Sequence, residues 1–219
     1  EFHRKWSAAY ERRVRNWAGV NYKSARGMIG GRRIISDAKN TPPFYRYNYA
    51  ERQAYFSAYH ISLETTEQYV KELFETKIEY LVGYAFSIYV LAKNIKKLHL
   101  VAPIFKAVLT SSEKLTSPMR TVIEQTFRHR VFDAYSGVEA CGLISENERG
   151  EHLFSPDSGI LEVINEEGNQ VDYGESGEVI STGFLNFNQP LIRYRIGDWV
   201  KLSKNQNSTM LKIDEIEGR

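Results

Sequence analysis

The sequence has few of the features that mark secreted, membrane-spanning or nucleic-acid-binding proteins. Its 219 residues include one cysteine, Cys141, so an intramolecular disulfide is impossible and a reducing compartment is expected. No apolar run approaches the roughly 20 residues of a membrane-spanning helix. The formal net charge is only +2, which argues against a dedicated nucleic-acid binder. Together these absences predict a cytoplasmic protein without a membrane span.

The composition is that of a globular protein with a sizeable core. Hydrophobic residues make up 42% and charged residues 26% of the chain, which are ordinary values for such proteins. The sequence begins at Glu1 rather than at a methionine and stops at Arg219. We therefore expect a fragment of a longer protein.

The spacing of apolar residues up to residue 142 predicts a parallel α/β arrangement after an N-terminal amphipathic helix. The segment 22–59 is dense in aromatic residues and arginines and is expected to be irregular. The predicted regular elements that follow are a helix capped by Ser62, a strand at 79–84, a helix at 85–97, a strand at 104–109, a helix started by Ser117-Pro118, and a strand at 131–135. Alternation of strand and helix implies parallel pairing with right-handed crossovers.

After residue 142 the period of the apolar residues changes to two. Strands are predicted at 162–164, at 179–181 and near Ile192, Val200 and Leu211, with glycine-containing turns between them. The predicted fold is thus α/β, a parallel sheet with flanking helices plus an antiparallel portion resembling a distorted barrel. We divide it into residues 1–142 and residues 143–219.

The stretch 189–200 contains a Gly197-Asp198 step between two apolar runs, and it predicts a hairpin turn. On spacing alone, a capping role for Asp198 with an Arg–Asp pair is an adequate explanation. A ligand role is the alternative. Ligands of open parallel sheets bind outside the carboxyl ends of the strands, where Gly83-Tyr84, 111–113 and 135–139 are predicted to lie.

Four segments in order resemble the adenylate-forming superfamily of acyl-CoA synthetases. They are 131–139 (VFDAYSGVE), 174–182 (GESGEVIST), 190–198 (PLIRYRIGD) and 217–219 (EGR). The resemblance is strongest to the phenylacetate–CoA ligase-like and capsule-biosynthesis adenylating branch, which Pro42-Pro43-Phe44, 59–62, Gly83-Tyr84 and 111–115 also resemble. It covers nearly the whole chain.

The resemblance implies a site for ATP or AMP, with Tyr135 stacked on adenine and Asp198 bound to the ribose hydroxyls. The other implied nucleotide contacts are Ser111, Ser112, Glu113, Asp133, Ser136 and Arg219. Glu139 would hold Mg²⁺, and Tyr59 and His60 would border the pocket of a small carboxylic acid. The implied reaction forms an acyl adenylate and pyrophosphate, after which a thiol, usually that of coenzyme A, takes the acyl group.

The sequence also departs from the family pattern. The Ser/Thr/Gly-rich phosphate loop and the catalytic lysine are expected in portions of the protein before and after this chain, so the fragment alone is expected to be inactive. Ser136 stands where the family has glycine, and Val138 stands where it has threonine or serine. Val138 cannot donate the hydroxyl hydrogen bond expected at the α-phosphate.

Three alternatives stay open. The chain could be a non-catalytic relative that binds a nucleotide or acyl ligand or serves as a partner-binding scaffold, which Val138 favours. The arginines and aromatics of 22–59 could stack on single-stranded nucleic acid, although acidic neighbours argue against it. Cys141 and His152 could contribute to a metal site, but two ligands do not make a zinc site.

Overall fold

The computed structural model describes residues 1–36 and 41–218, which form a mixed α/β protein. The helices are α1 (Phe2–Tyr10), continued by a π-helical segment (Glu11–Arg15), α2 (Thr66–Glu75), α3 (Ala85–Lys97) and α4 (Ser117–Phe127). The strands are β1 (Arg26–Gly30), β2 (Tyr45–Asn48), β3 (Gln53–Ser57), β4 (Tyr80–Tyr84), β5 (Ala107–Ser111), β6 (Val131–Tyr135), β7 (Ile144–Glu146), β8 (His152–Phe154), β9 (Gly159–Ile164), β10 (Ser176–Gly183), β11 (Tyr194–Leu202) and β12 (Lys212–Gly218).

The contacts divide the chain into two compact units. The α/β unit is Ala18–Phe132, and the β unit combines Glu1–Trp17 with the chain from Asp133 onward. The subdomain boundary expected after residue 142 was drawn from a change in periodicity and stays a prediction. In the part of the chain that the structure describes, no helix combines the length and hydrophobicity needed to cross a membrane.

In the α/β unit, four strands pair in parallel in the order β3, β1, β4, β5, and β2 pairs antiparallel with β3. Helix α3 begins and ends at the predicted residues. Its predicted apolar stripe is fully buried and consists of Ile88, Leu91, Ala92 and Ile95. Strand β4 also matches its prediction closely. The next strand, β5, begins at Ala107 rather than Ile104, whose side chain is exposed. The predicted fold class, α/β with an antiparallel portion, is confirmed.

The prediction that 22–59 is irregular is wrong, because the segment contains β1, β2 and β3. Strand β1 (RGMIG) carries glycines, which lower strand propensity when the sequence is considered alone. Here a larger residue would displace a buried side chain, since a Cβ on Gly27 would lie 2.3 Å from Ile78 Cδ1. Strand β3 is buried at every position except Tyr55, so it lacks the period-two pattern by which a half-buried strand is recognised.

Both predicted helix caps are displaced by one or more residues. Helix α2 begins after Thr65, and Ser62 instead joins the preceding turn, where its carbonyl oxygen accepts from the Thr66 hydroxyl at 2.5 Å. The N-cap of α4 is Thr116, whose hydroxyl accepts from the Met119 N–H at 3.4 Å. Where several hydroxyl residues precede a helix, the backbone decides which one caps it.

The strands of the β unit follow the order β6, β7, β8, β12, β11, β10, β9, and the pairs from β6 onward are antiparallel. Strands β9 to β12 lie at or near the predicted antiparallel strands. Strands β7 and β8 were not predicted, and β6 was predicted within the parallel arrangement but pairs antiparallel with β7. The core of the β unit is formed by inward-facing side chains of these strands, Ile144, Phe154, Val163, Val171, Val179, Val200, Leu202 and Ile213. The N-terminal helical segment belongs to the same unit, and Arg13 pairs with Asp157 at 3.0 Å. Strand β11 pairs with β10 on one edge and with β12 on the other.

One buried carboxylate, Glu72 on α2, makes the stability of the α/β unit depend on pH. Its side chain accepts from the Phe44 N–H at 3.0 Å and from Gln68 Nε2 at 2.9 Å, and burial raises its pKa above the ordinary 4.5. Between 4.5 and the raised value the folded state binds more protons than the unfolded chain. This carboxylate therefore lowers the free energy of unfolding as the pH rises through that window.

Glu72→Gln removes the titrating group and keeps an amide oxygen for the Phe44 N–H. We expect the free energy of unfolding of this variant, relative to the unmodified protein, to increase as the pH rises from 4.5 through the raised pKa of Glu72. Urea denaturation at several pH values measures it. Glu67→Gln, at an exposed position on the same helix, is the control and should show no such increase. A flat difference for Glu72→Gln would contradict the assignment.

Candidate nucleotide-binding site

The Gly197-Asp198 step lies inside strand β11 rather than at a hairpin turn, so that prediction is wrong. The register of β11 with β10 passes from the pair Arg195–Ile180 to the pair Trp199–Glu178. One residue of β10 thus lies opposite three residues of β11, which is a bulge. Gly197 has φ +85°, a left-handed conformation that glycine adopts without steric cost. The bulge moves Asp198 out of the regular ladder.

Arg195 of this strand and Arg193 just before it have glutamate partners on β10 and β9, in place of the predicted Arg–Asp pair. The Arg195 guanidinium makes a two-pronged contact with Glu178 on β10, with Nε 3.0 Å from Oε1. Arg193 Nε lies 3.2 Å from Glu162 Oε2. The Arg195 guanidinium holds the pKa of Glu178 below its usual value. These pairs link the chain immediately before the bulge to β10 and β9.

Asp198 is joined directly to the predicted adenine-stacking residue. The Tyr135 hydroxyl donates to Asp198 Oδ2 at 2.7 Å, across 63 residues of sequence. Tyr135 is the last residue of β6, and both side chains are partly buried. The structure therefore brings together two residues that the sequence identified separately.

The turn after β6 carries the predicted magnesium ligand. Glu139 Oε1 accepts from the Tyr194 hydroxyl at 3.1 Å. The carboxylate folds back over Gly137, where a Cβ would lie 2.4 Å from Glu139 Oε2. Ser136 and Val138 are both exposed, and Val138 is 103% exposed. The turn thus presents one carboxylate and exposed backbone to solvent.

Asp133, on β6, lies beside a buried glutamate and a histidine. Its backbone N–H donates to Glu146 Oε2 at 3.1 Å. His152 Nε2 is 3.9 Å from Asp133 Oδ2 and 4.0 Å from Glu146 Oε2, distances at which a protonated imidazole pairs with carboxylates. These contacts fix the position of Asp133, which precedes Tyr135 by two residues.

The remaining predicted nucleotide contacts lie in the α/β unit, at the carboxyl end of β5. Ser111 is its last residue, Ser112 follows with φ +69°, and their hydroxyl oxygens are 3.5 Å apart. Glu113 accepts from the Phe86 N–H at 2.8 Å, at the first turn of α3. Its carboxylate thus satisfies a free N–H of a helix terminus, which is a structural role that the sequence did not suggest.

Tyr59 and His60 follow β3, at the carboxyl end of the parallel strands in the same unit. The Tyr59 hydroxyl donates to the Gly31 carbonyl at 3.0 Å, and its ring is 55% exposed. His60 is buried, with Nδ1 2.7 Å from the Ser57 hydroxyl and its ring stacked 5.6 Å from that of Phe44. Tyr59 is open to a ligand on one side, whereas His60 is largely enclosed.

The predicted residues therefore form two groups, each within one unit. The β unit contains Asp133, Tyr135, Ser136, Glu139 and Asp198, and the α/β unit contains Ser111, Ser112, Glu113, Tyr59 and His60. Arg219 lies outside the described residues. The roles assigned to all of them stay predictions.

Among the residues that the structure describes, no group of three or more histidine, cysteine, aspartate or glutamate side chains could hold a metal ion. Cys141 is buried, and burial raises the pKa of its thiol. The alternative of a metal site at Cys141 and His152 thus gains no support from these residues.

Several residues of this region were missed as functional candidates in the sequence. Tyr194 binds Glu139, Glu178 binds Arg195, and Glu146 lies against Asp133. Tyr194 stood within the motif at 190–198 and could have been singled out there. The two glutamates lie on other strands, and their contacts depend on a strand register that the sequence does not display.

Comparisons with known proteins place this geometry in context. No protein-family model matches the sequence. Protein CapK of Staphylococcus aureus is 34% identical over 208 residues, which are 92% of this chain and 44% of that protein. The chain therefore spans less than half the length of this relative.

Solved structures match over nearly the whole chain. The 2-hydroxyisobutyryl-CoA ligase in complex with an acyl adenylate has a TM-score of 0.73 at 19% identity, over 99% of this chain and 48% of that one. The long-chain-fatty-acid-CoA ligase FadD1 of Archaeoglobus fulgidus has a TM-score of 0.59 at 13% identity, over 96% and 47%. The expected resemblance is confirmed in the fold: this chain has the fold of the adenylate-forming acyl-CoA ligases, and its sequence is similar to that of Protein CapK.

Proposed function

We propose that this chain is the nucleotide-binding part of an ATP-dependent ligase that activates a carboxylic acid as an acyl adenylate and passes it to a thiol, that of coenzyme A. The Tyr135–Asp198 hydrogen bond carries the proposal, because it joins an aromatic ring and a carboxylate in a fold shared with such ligases. A structure of the 2-hydroxyisobutyryl-CoA ligase contains an acyl adenylate together with coenzyme A.

The ring and the carboxylate suit different parts of AMP. The Tyr135 ring offers a flat apolar face to adenine, and Asp133, two residues earlier, offers a carboxylate toward the amino edge of the base. Asp198, which accepts a hydrogen bond from Tyr135, would also accept hydrogen bonds from the ribose hydroxyls.

The turn after β6 fits a magnesium ion that is bound mainly by phosphate. Mg²⁺ is commonly held by one or two carboxylates together with substrate phosphates and water. Glu139 supplies one exposed carboxylate, and exposed turn backbone surrounds it. The ion, when bound, would neutralise charge on the phosphates. Tyr194 would orient the Glu139 oxygen that faces it.

The reaction requires positioning more than covalent chemistry by the protein. An oxygen of the substrate carboxylate forms a bond to the α-phosphorus, and the bond from that phosphorus to the pyrophosphate oxygen breaks. The thiol sulfur then attacks the acyl carbon, the thiol loses its proton, and AMP leaves. Tyr59 and His60 would border the acid, with His60 oriented by Ser57. Holding the two reactants in line supplies much of the rate enhancement.

Portions of the protein outside this chain complete the site in this proposal. The relatives are about twice as long as the chain, which covers 44% of Protein CapK and 48% of the 2-hydroxyisobutyryl-CoA ligase. We infer that the phosphate loop and the catalytic lysine are supplied by those portions. The partners of this chain are then the rest of its own protein and a small carboxylic acid.

The exposed Val138 favours a second candidate, a non-catalytic relative that binds a nucleotide or an acyl ligand. Its side chain occupies the position at which the family has a hydroxyl for the α-phosphate, and two methyl groups there can offer no hydrogen bond. A protein of this kind would bind nucleotide without exchanging pyrophosphate. The two candidates therefore differ in a measurable activity.

The first test is Asp198→Ala in the full-length protein. Carboxylate-dependent exchange of pyrophosphate into ATP should fall by about a hundredfold or more, because two charge-assisted hydrogen bonds to ribose are lost. Asp214→Ala, which removes an exposed carboxylate of β12, is the matched control and should keep the activity. Circular dichroism checks that both variants fold. Full exchange activity in Asp198→Ala would remove Asp198 from the site.

The second test restores the hydroxyl group with Val138→Thr. Because the side chain is exposed, the change costs the fold little, and the affinity for ATP should rise by about tenfold through one hydrogen bond to phosphate. Isothermal titration calorimetry with Mg²⁺-ATP measures it, with Val101→Thr at another exposed valine as the control. An unchanged affinity would show that residue 138 does not face the α-phosphate.

A further inference from the structure

The two units of this chain have opposite net charges. Residues 18–132 contain 17 lysines and arginines but only 9 acidic residues, a formal charge of +8. The remaining residues contain 12 lysines and arginines and 18 acidic residues, a formal charge of −6. The near-neutral net charge of the chain is therefore the sum of a basic and an acidic unit. The basic α/β unit favours anionic partners.

Three helices of the α/β unit end in the same way. A basic residue adopts a left-handed backbone conformation after each of them, namely Lys77 after α2, His99 after α3 and Arg128 after α4. Glycine is the usual residue at such a position, because a side chain there costs free energy. All three side chains are exposed. The helix dipole favours cations at these ends.

These helix ends lie at one edge of the sheet. Strands β4 and β5 pair in parallel, so the turns that precede them meet at the amino ends of both strands. Lys96 Nζ at the end of α3 donates to Gln125 Oε1 on α4 at 2.6 Å. The rings of Phe105 and Phe127 are 5.2 Å apart, which joins the end of α4 to the same edge. Ser111 lies at the opposite edge, at the carboxyl end of β5.

The connection from α3 to β5 adds exposed apolar side chains to this edge. Leu98, Val101 and Ile104 are 40%, 75% and 66% exposed. The intervening Leu100 and Phe105 pack on the core, so every third side chain is directed outward. The helix dipole accounts for cations at this edge, but it does not account for three exposed aliphatic side chains.

Basic residues flank these apolar side chains. The sequence from 80 to 112 contains four lysines and no acidic residue, and 125–132 contains two arginines and a histidine, again without an acidic residue. Lys106 is set apart because it pairs with Glu79 at 2.6 Å. We define the basic apolar edge as Lys96, Lys97, Leu98, Val101, Ile104 and Arg128.

We propose that the basic apolar edge binds the surface of an anionic lipid bilayer. Lysine and arginine side chains are attracted to anionic headgroups, and aliphatic side chains between them enter the boundary of headgroups and acyl chains. Single-stranded nucleic acid is bound by aromatic side chains that stack on bases, whereas the apolar side chains of this edge are aliphatic. Contacts between proteins are depleted in lysine. The proposed contact is peripheral and needs no membrane-spanning helix.

The first test is co-sedimentation of the full-length protein with vesicles of phosphatidylcholine and phosphatidylserine in equal parts, and with vesicles of phosphatidylcholine alone. We expect the affinity for the anionic vesicles to be at least about tenfold higher and to decrease as the salt concentration rises. No binding to the anionic vesicles would overturn the inference and indicate that another portion of the protein covers this edge. The outcome is independent of the proposed ligase activity.

Lys97→Gln combined with Arg128→Gln tests the charges. We expect the affinity for the anionic vesicles to fall by about tenfold or more, since each cation near an anionic surface contributes about fivefold. Lys201→Gln combined with Arg12→Gln is the matched control, because it removes one exposed lysine and one exposed arginine from the β unit. Equal losses in the two pairs would indicate a general electrostatic attraction and overturn the inference.

Val101→Ser combined with Ile104→Ser tests the apolar contact and keeps every charge. Because both side chains are exposed, the changes cost the fold little, and the affinity for the anionic vesicles should fall by about tenfold. Ile160→Ser combined with Ile192→Ser, at exposed positions of the β unit, should leave that affinity unchanged. Unchanged binding by the first pair, or equally tight binding of single-stranded RNA at this edge, would overturn the inference.

Discussion

The bulge in strand β11 is the constraint on which the candidate site depends. An unbulged strand would place residue 198 in the ladder with β10 and direct its side chain by simple alternation. In the bulge, three residues of β11 lie opposite one residue of β10, and Gly197 adopts φ +85°. Asp198 therefore does not follow that alternation. Ion pairs from Arg193 and Arg195 hold the strand just before the irregularity. The carboxylate then meets Tyr135 on a strand that is distant in sequence.

The two units provide comparable scaffolds for polar groups at strand ends. In the α/β unit, the parallel strands are largely buried, and Tyr59, Tyr84 and Ser111 lie at or just after their carboxyl ends. A Cβ at Gly83 would lie 1.9 Å from the Ile29 carbonyl oxygen, so only glycine permits that pairing of β1 and β4. In the β unit, antiparallel strands bury a core against which Tyr135 packs, and Tyr194 and Asp198 are partly buried.

Structural and functional explanations overlap at several of these residues. Glu113 satisfies the first turn of α3, and Glu139 accepts a hydrogen bond from Tyr194, so neither carboxylate is explained by ligand binding alone. Val138 has no internal contact to explain it, since it is fully exposed. Together with Ser136, this exposed valine distinguishes the turn from the pattern that the chain resembles.

The sequence by itself determined the fold class, helix α3, strands β4 and β6, and the motifs that indicate the superfamily. The elements follow from the spacing of apolar residues, and the superfamily is indicated by four short segments that occur in a characteristic order. Only the tertiary structure decided that 22–59 contains three strands, that Gly197-Asp198 is a bulge, and that Tyr135 and Asp198 are bonded. The physical reason is that strand pairing and register join residues far apart in the chain, here across 63 positions, and no local pattern encodes which residues will meet.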